Sequence, residues 1–318
     1  AVETILEHKK EGKYTSIFDL VKRIDLRAAN KKAMENLVLA GGFDSFGETH
    51  RAQYFNPDGD GITFLEKVIR FGAKYQEHLN SAQVSLFGEE TDQTYQDLTI
   101  PSCEPWSNLI CLQKEKEVVG IYISSHPLDD FTHEMEHFVS ISLNRLGDLE
   151  AFLNRELSVG GIVNDVEHLE SRNGKGWARF TVEDFTDQYE FRIFGEDYLK
   201  YRHFLVVNQF IRIRMMIRQG WTNKETGKVG APRMQYLSFE MLQNTIENNA
   251  KKLTLQLDIH QLNEDKVRAL QSHLKRFKGD KTLFFNVYDP EKKIKLTLNS
   301  KTQKVKITSA LLDELAMQ

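Results

Sequence analysis

Cysteine is scarce in this sequence, with only Cys103 and Cys111 among 318 residues. Neither lies in a CxxC spacing, which excludes a disulfide framework, a zinc ribbon and a dithiol redox site. A reducing compartment, the cytoplasm, is the setting expected. Long apolar runs are also missing. The greasiest stretch, Phe204 to Ile217, is interrupted by Asn208, Gln209, Arg212 and Arg214, so no membrane span is expected. There is no glycine-rich phosphate loop, no GxSxG and no close aspartate pair in an apolar strand, so the common phosphoryl-transfer and serine-hydrolase sites have no carrier here. No cofactor is expected.

What is present is an uneven distribution of charge. The formal net charge is only −4, yet residues 77–150 hold 14 Asp/Glu against 3 Lys/Arg, and residues 251–318 hold 14 Lys/Arg against 8 Asp/Glu. The chain opens on AVETILEHKK, where Val2, Ile5 and Leu6 already follow helical spacing with no cap before them. A start inside a helix is the expectation. Length implies at least two domains, and the periodicity resolves a multidomain α and β architecture. Residues 1–82 read as short helices joined by glycine hairpins: Ile17, Leu20, Val21 and Ile24 form one stripe behind a Thr15 or Ser16 cap, and Asn30 caps a helix carrying Met34, Leu37 and Val38. Residues 88–107 lack periodicity and read as an exposed acidic linker, followed by a helical connector over 108–156.

From Leu157 the period changes to alternation. Five strands with one helix inserted after the third, over residues 157–245, form the pattern of a five-stranded OB-fold β-barrel. Residues 251–318 then give strand, helix, strand, strand, helix, a small α+β domain. On the barrel's outer face the alternation places Trp177, Arg179, Arg192, Arg212 and Arg214, one aromatic with four arginines. Arg172 and Lys175 flank a tight Asn-Gly turn between the first two strands, and Trp221 and Lys224 lie between the last two. Stacking groups beside cations suit sequence-tolerant single-strand binding; the plain alternative is a solvated strand face.

Three further motifs each carry a plain reading beside a functional one. QVSLF, residues 83–87, is either a strand or a docking peptide in which Gln83 bonds through its amide and Leu86 and Phe87 fill a partner's apolar pocket. Gly41-Gly42 either ends a helix or presents backbone amides to a phosphate of duplex DNA, with Lys31 and Lys32 adding charge. HEMEH, residues 133–137, matches a zinc-hydrolase helix with His133 and His137 as ligands and Glu134 as base, but no glycine turn and third histidine follow, and a solvated helix face is the plain reading. A free-standing OB protein for RNA is the other alternative.

Taken in order, four segments resemble the C-terminal portion of the bacterial DNA polymerase III alpha subunit, a family C replicative polymerase. TSIFDLVKRIDLRAANKKAMENLVLAGGFDSFGETHRA resembles its tandem helix-hairpin-helix region, and QVSLF its internal sliding-clamp-binding pentapeptide. EKEVVGIYISSHPLDDF resembles the stretch leading into its OB domain, and GKGWARFTVEDFTDQYEFRIF that domain's second and third strands. The resemblance implies that Gln83, Ser85, Leu86 and Phe87 tether the chain to the ring-shaped clamp. It also implies that Gly41 and Gly42 lie near duplex DNA, that the OB domain handles single-stranded template, and that residues 251–318 engage the clamp loader's tau-type subunit. By the same resemblance the first hairpin is incomplete and the palm aspartates lie upstream of Ala1, so this stretch is expected to be catalytically silent although its parent is a DNA-directed DNA polymerase.

Overall fold

The computed structural model describes residues 1–80, 98–221 and 229–316. It divides into two compact units, Ala1–Pro127 and Leu128–Gln318. The boundary falls inside the segment expected as a helical connector.

The first unit is helical: α1 (Val2–Lys9), α2 (Ile17–Arg23), α3 (Lys31–Leu39), α4 (Arg51–Phe55), α5 (Phe64–Asn80) and α6 (Asn108–Val119). Side-chain caps set where the helices begin. Ser16 accepts from the Asp19 amide, Asn30 from Ala33 and Ser107 from Ile110, each satisfying a donor that the first turn leaves open. Ile17, Leu20, Val21, Ile24, Met34 and Val38 are buried together with Tyr54, Leu65 and Val68 from α4 and α5. Gly72 lets α5 close on α2, since a Cβ there would sit 2.7 Å from both Val21 Cβ and Val21 O. One turn later, the Gln76 amide donates to Val21 O and Ile24 O at 2.8 and 2.7 Å, filling the open carbonyls at the end of α2.

The described part of the expected acidic linker, residues 98–107, holds no buried residue but is tied to the helices. Trp106 stacks on Phe55 with centroids 5.6 Å apart, Gln53 Nε2 donates to Pro101 O at 2.9 Å, and the His50 ring bonds Cys103 O at 3.1 Å. Residues 101–106 therefore strap α4. A tryptophan among acidic residues and prolines supplies enough apolar area to hold an aperiodic segment down.

In the second unit, α7 (Thr132–Phe138) precedes a five-stranded antiparallel sheet: β1 (Glu156–Glu170), β2 (Gly176–Glu183), β3 (Gln188–Phe194), β4 (Phe210–Arg218) and β5 (Arg233–Met241), in the order β3-β2-β1-β4-β5. Between β3 and β4 lies α8 (Gly195–Tyr201). One face buries Val163, Ala178, Phe180, Val182, Phe191, Ile193, Ile211 and Ile213, the alternate residues of each strand. Central β1 serves both halves. Glu156–Ile162 pairs with β4 and Ile162–Glu170 with β2, with a bulge between Val163 and Asp165. Gly161 lies two residues before that bulge, where a Cβ would come 2.3 Å from Glu183 O. A closed barrel is not what the ladders draw: among the described residues no ladder joins β3 to β5. Aromatic side chains occupy the gap instead. Tyr236 is buried there and donates its hydroxyl to Arg192 O at 3.0 Å, and Phe239 stacks on Tyr201 at 4.5 Å.

The remaining elements are α9 (Leu242–Asn249), β6 (Lys252–Asp258), α10 (Glu264–Arg276), β7 (Lys278–Asp289), β8 (Ile294–Val305) and α11 (Ser309–Ala316). Strand β7 is central, parallel to β6 and antiparallel to β8. Leu253, Leu255, Leu283 and Phe285 face a small core with Leu274 of α10 and Leu311 of α11.

Candidate nucleic-acid interface

The outward face of the five-stranded sheet is organised by cross-strand register. Leu169 of β1, Trp177 of β2 and Phe194 of β3 are directly opposite one another, forming an apolar row across three strands. Phe194 is 58% exposed, and its ring stacks on Trp177 at 5.2 Å and 18°. The next row is Glu167, Arg179 and Arg192, and the one beyond it Asp165, Thr181 and Glu190. One end of the face is a stacking platform; the rest is charged in both signs.

That pairing changes the value of the arginines. Arg179 is 2.7 Å from Glu167 and 3.6 Å from Glu190, Arg192 is 2.9 Å from Glu190, and Arg214 Nε donates to Glu156 at 2.9 Å. Each remains partly solvated, so these ion pairs are weak and open to competition by phosphate. Arg212 is different, and the expectation of a solvent-facing cation is corrected. It is 7% exposed, ion-paired to Glu240, and its Nε donates to Phe138 O at 2.9 Å and Ser158 Oγ at 2.7 Å. The cause is its neighbour on β1. Gly160, opposite Arg212, has no side chain, and a Cβ there would be 2.8 Å from Met135 Sδ and Val139 Cγ2, so α7 and the residues after it close over this part of the face.

The turn between β1 and β2 leaves Arg172 and Lys175 exposed and, among the described residues, without a carboxylate partner. Gly174 holds φ +71° in that turn, the left-handed region an Asn-Gly pair favours. Trp221 is 78% exposed, with the Arg233 guanidinium 4.6 Å from its ring centroid. Lys224 lies outside the described residues.

In the helical unit, Gly41 and Gly42 do not offer their amides. They donate to Val38 O at 3.0 Å and Leu37 O at 2.8 Å, ending α3. Gly41 is needed for its φ of +79° and because a Cβ would strike Arg51 Nη2 at 2.2 Å. Arg51 is buried. It is held by Asp44 through Nε and Nη2 at 3.0 and 2.6 Å and by Glu115 at 2.9 Å. The Glu115 carboxyl is fully buried. Burial opposes its ionisation, but hydrogen bonds from the Ser124 hydroxyl, the Ser124 and Ile123 amides and Arg51 outweigh that and hold it down at about 2. A cavity of about 620 Å³ opens beside this network, lined by His50, Arg51, Trp106, Cys111 and Glu115. Lys31 is bound to Glu66 at 2.6 Å, and Lys32 is exposed.

The HEMEH residues are engaged in packing. His133 bonds Asp313 of α11 at 2.8 Å, and the buried Glu134 accepts from Ser309 Oγ at 2.9 Å. Among the described residues no group of three or more His, Cys, Asp and Glu is placed to hold a metal. Gln83, Ser85, Leu86 and Phe87 lie outside the described residues.

Comparison with known proteins bears on the whole chain. Residues 253–318 match the family model "DNA polymerase III alpha subunit, C-terminal domain", and residues 1–54 match a helix-hairpin-helix motif. The DNA polymerase III subunit alpha of Borreliella burgdorferi is 31% identical over 65% of this chain and 17% of its own length. That of Mycobacterium tuberculosis is 26% identical over 99% of this chain and 26% of its own length. The chain is similar to the C-terminal region of the DNA polymerase III alpha subunit, through family models at both of its ends and relatives that align across its length. It spans about a sixth to a quarter of the length of these curated relatives. A mitochondrial single-stranded DNA binding protein of S. cerevisiae, Rim1, aligns over 27% of this chain and 91% of its own at 13% identity, with a TM-score of 0.20, too low to carry an argument. Within the family's C-terminal region, the side chains that sequence reasoning passed over are Leu169 and Phe194, which complete the platform around Trp177. The signal for Phe194 was present: alternation from Phe191 and Ile193 inward puts it outward.

Proposed function

We propose that this chain is a non-catalytic, DNA- and clamp-binding part of a replicative polymerase alpha subunit, acting in chromosomal DNA replication. The five-stranded sheet is read as an OB-fold of the partly open kind, and its central β1, paired with both β2 and β4, supports that reading. Single-stranded template lies across β2 and β3, where bases stack on Trp177 and Phe194 while Arg172, Lys175 and the region of Trp221 meet the backbone. The observation that carries this reading is the exposed row Leu169–Trp177–Phe194 ending beside a cationic turn that has no carboxylate partner among the described residues. Residues 83–87 tether the chain to the sliding clamp through Leu86 and Phe87, and residues 251–318 engage the clamp loader's tau-type subunit. The helix-hairpin-helix unit stands near duplex DNA, with Lys32 rather than the glycine amides as its contact.

Binding of labelled oligo-dT to wild type and to Trp177→Ala/Phe194→Ala tests the sheet, with a loss of about tenfold or more expected from two stacking rings. Equal affinities would remove β2 and β3 from the DNA path. In parallel, Leu86→Ala/Phe87→Ala is expected to abolish clamp binding; a double variant that still binds the clamp as wild type does would end the tether reading.

A further inference from the structure

The smaller sheet has a second face that the family assignment does not use. The odd-numbered Leu253, Leu255, Leu283 and Phe285 of β6 and β7 pack into the core with α10 and α11, so the even-numbered residues alongside them point away. Pairing across β6, β7 and β8 arranges them as four rows: Lys252–Thr282–Lys304, Thr254–Phe284–Asn299, Gln256–Asn286–Thr297 and Asp258–Tyr288–Lys295. No Val, Ile or Leu occurs among these positions. The central strand carries the two aromatics, about 13 Å apart along β7. Phe284 is half-buried and Tyr288 is 37% exposed.

Cations border both rings. Lys252 Nζ lies 5.5 Å from the centroid of Phe284, and Lys295 is directly opposite Tyr288. Lys252, Lys295 and Lys304 are exposed and, among the described residues, have no carboxylate partner. The one acid in these four rows, Asp258, accepts from the His260 amide at 2.9 Å. Between the rings sit Gln256, Asn286 and Thr297, side chains that can donate to and accept from base edges; Asn286 and Thr297 bond each other at 2.8 Å.

We propose that this face of the β6-β7-β8 sheet binds a single-stranded polynucleotide, its bases stacking on Phe284 and Tyr288 and its phosphates meeting Lys252, Lys295 and Lys304. With no aliphatic side chain in its rows and with lysines bordering both rings, the face suits a polyanion carrying stackable groups better than a protein partner. A sheet face with two aromatics on its middle strand and lysines at its rim gives bases a stacking surface and the backbone a countercharge. The proposal is independent of the assignment made for the five-stranded sheet.

The test is ultraviolet crosslinking of the whole 318-residue chain to oligo-dT and to oligo-rU, followed by peptide mapping. It is run in wild type and in the Trp177→Ala/Phe194→Ala background, which removes the other platform. A crosslink within residues 278–299 is expected in both, falling about tenfold in Phe284→Ala/Tyr288→Ala. Lys295→Glu/Lys304→Glu, at exposed positions that leave the fold intact, is expected to cut the same crosslink and to flatten the salt dependence of binding by about 1.4 in log–log slope. The DNA and RNA arms identify which strand is preferred, and a crosslink in either supports the site. No crosslink within residues 278–299, or a yield unchanged in both variants, overturns it.

Discussion

Replacing Glu115 by glutamine should destabilise the helical unit and remove part of its acid sensitivity. The carboxylate accepts from the Ile123 and Ser124 amides at 2.8 and 2.9 Å on one oxygen and meets Arg51 Nη1 at 2.9 Å on the other. Glutamine keeps the shape but places an NH2 donor where only acceptors are wanted, and leaves Arg51 with Asp44 alone. Holding a carboxyl from its ordinary 4.5 down to about 2 corresponds to about 3 kcal/mol. Removing one partner of a buried ion pair costs about 3–5 kcal/mol. Because the neighbouring cavity admits solvent, about 2–3 kcal/mol is expected for Glu115→Gln. The sign with pH follows from the depressed value. The stabilisation is complete above the unfolded carboxyl's range and is lost as pH falls from about 4.5 towards about 2. Urea titration at several pH values, with hydrogen exchange of the Ile123 and Ser124 amides reporting local opening, measures both effects. A variant with the wild-type midpoint and the wild-type acid profile would refute the reasoning.

Arg212→Ala is expected to destabilise the second unit by about 3–5 kcal/mol, since Glu240 is left without its cation, and to leave the salt slope of oligo-dT binding unchanged; a flattened slope would return Arg212 to the DNA path. Arg172→Ala/Lys175→Ala is expected to do the reverse, with unfolding midpoints kept and the log–log salt slope reduced by about 1.4, so an unaltered slope would remove the β1–β2 turn from the interface. Gly161→Ala should cost about 2 kcal/mol or more, because its Cβ would lie 2.3 Å from a backbone oxygen that cannot move alone; a thermal midpoint equal to wild type would contradict that close approach.

Much of the architecture was legible along the chain. Alternation in WARFTVED and YEFRIF separates inward Ala178, Phe180, Phe191 and Ile193 from outward Trp177, Arg179 and Arg192, and the observed burial follows it. Ser16 and Asn30 cap where their chemistry says they should, because a cap needs only a side-chain oxygen three residues before an open amide. The candidate site was legible in part. Period-2 alternation says which side of a strand a residue occupies, but it is silent about what lies opposite. The arginines read as free cations face Glu156, Glu167, Glu190 and Glu240. These acids stand on the same or other strands, and only the register brings them within reach.

By itself, then, the sequence determined the local alphabet: which segments are helix or strand, where caps and glycine turns fall, and which strand face is apolar. Those are decided by neighbours within a few residues. The tertiary structure decided availability. It spent the Gly41 and Gly42 amides on ending α3, closed α7 over Arg212 at a glycine, strapped Trp106 onto α4, and aligned Leu169, Trp177 and Phe194 from three strands into one row. Apart from the local end of α3, each depends on groups far apart in the chain, such as Phe138 and Arg212, whose approach is set by the packing of whole elements. Whether a side chain is exposed and unpaired is a property of that packing, and binding chemistry depends on it.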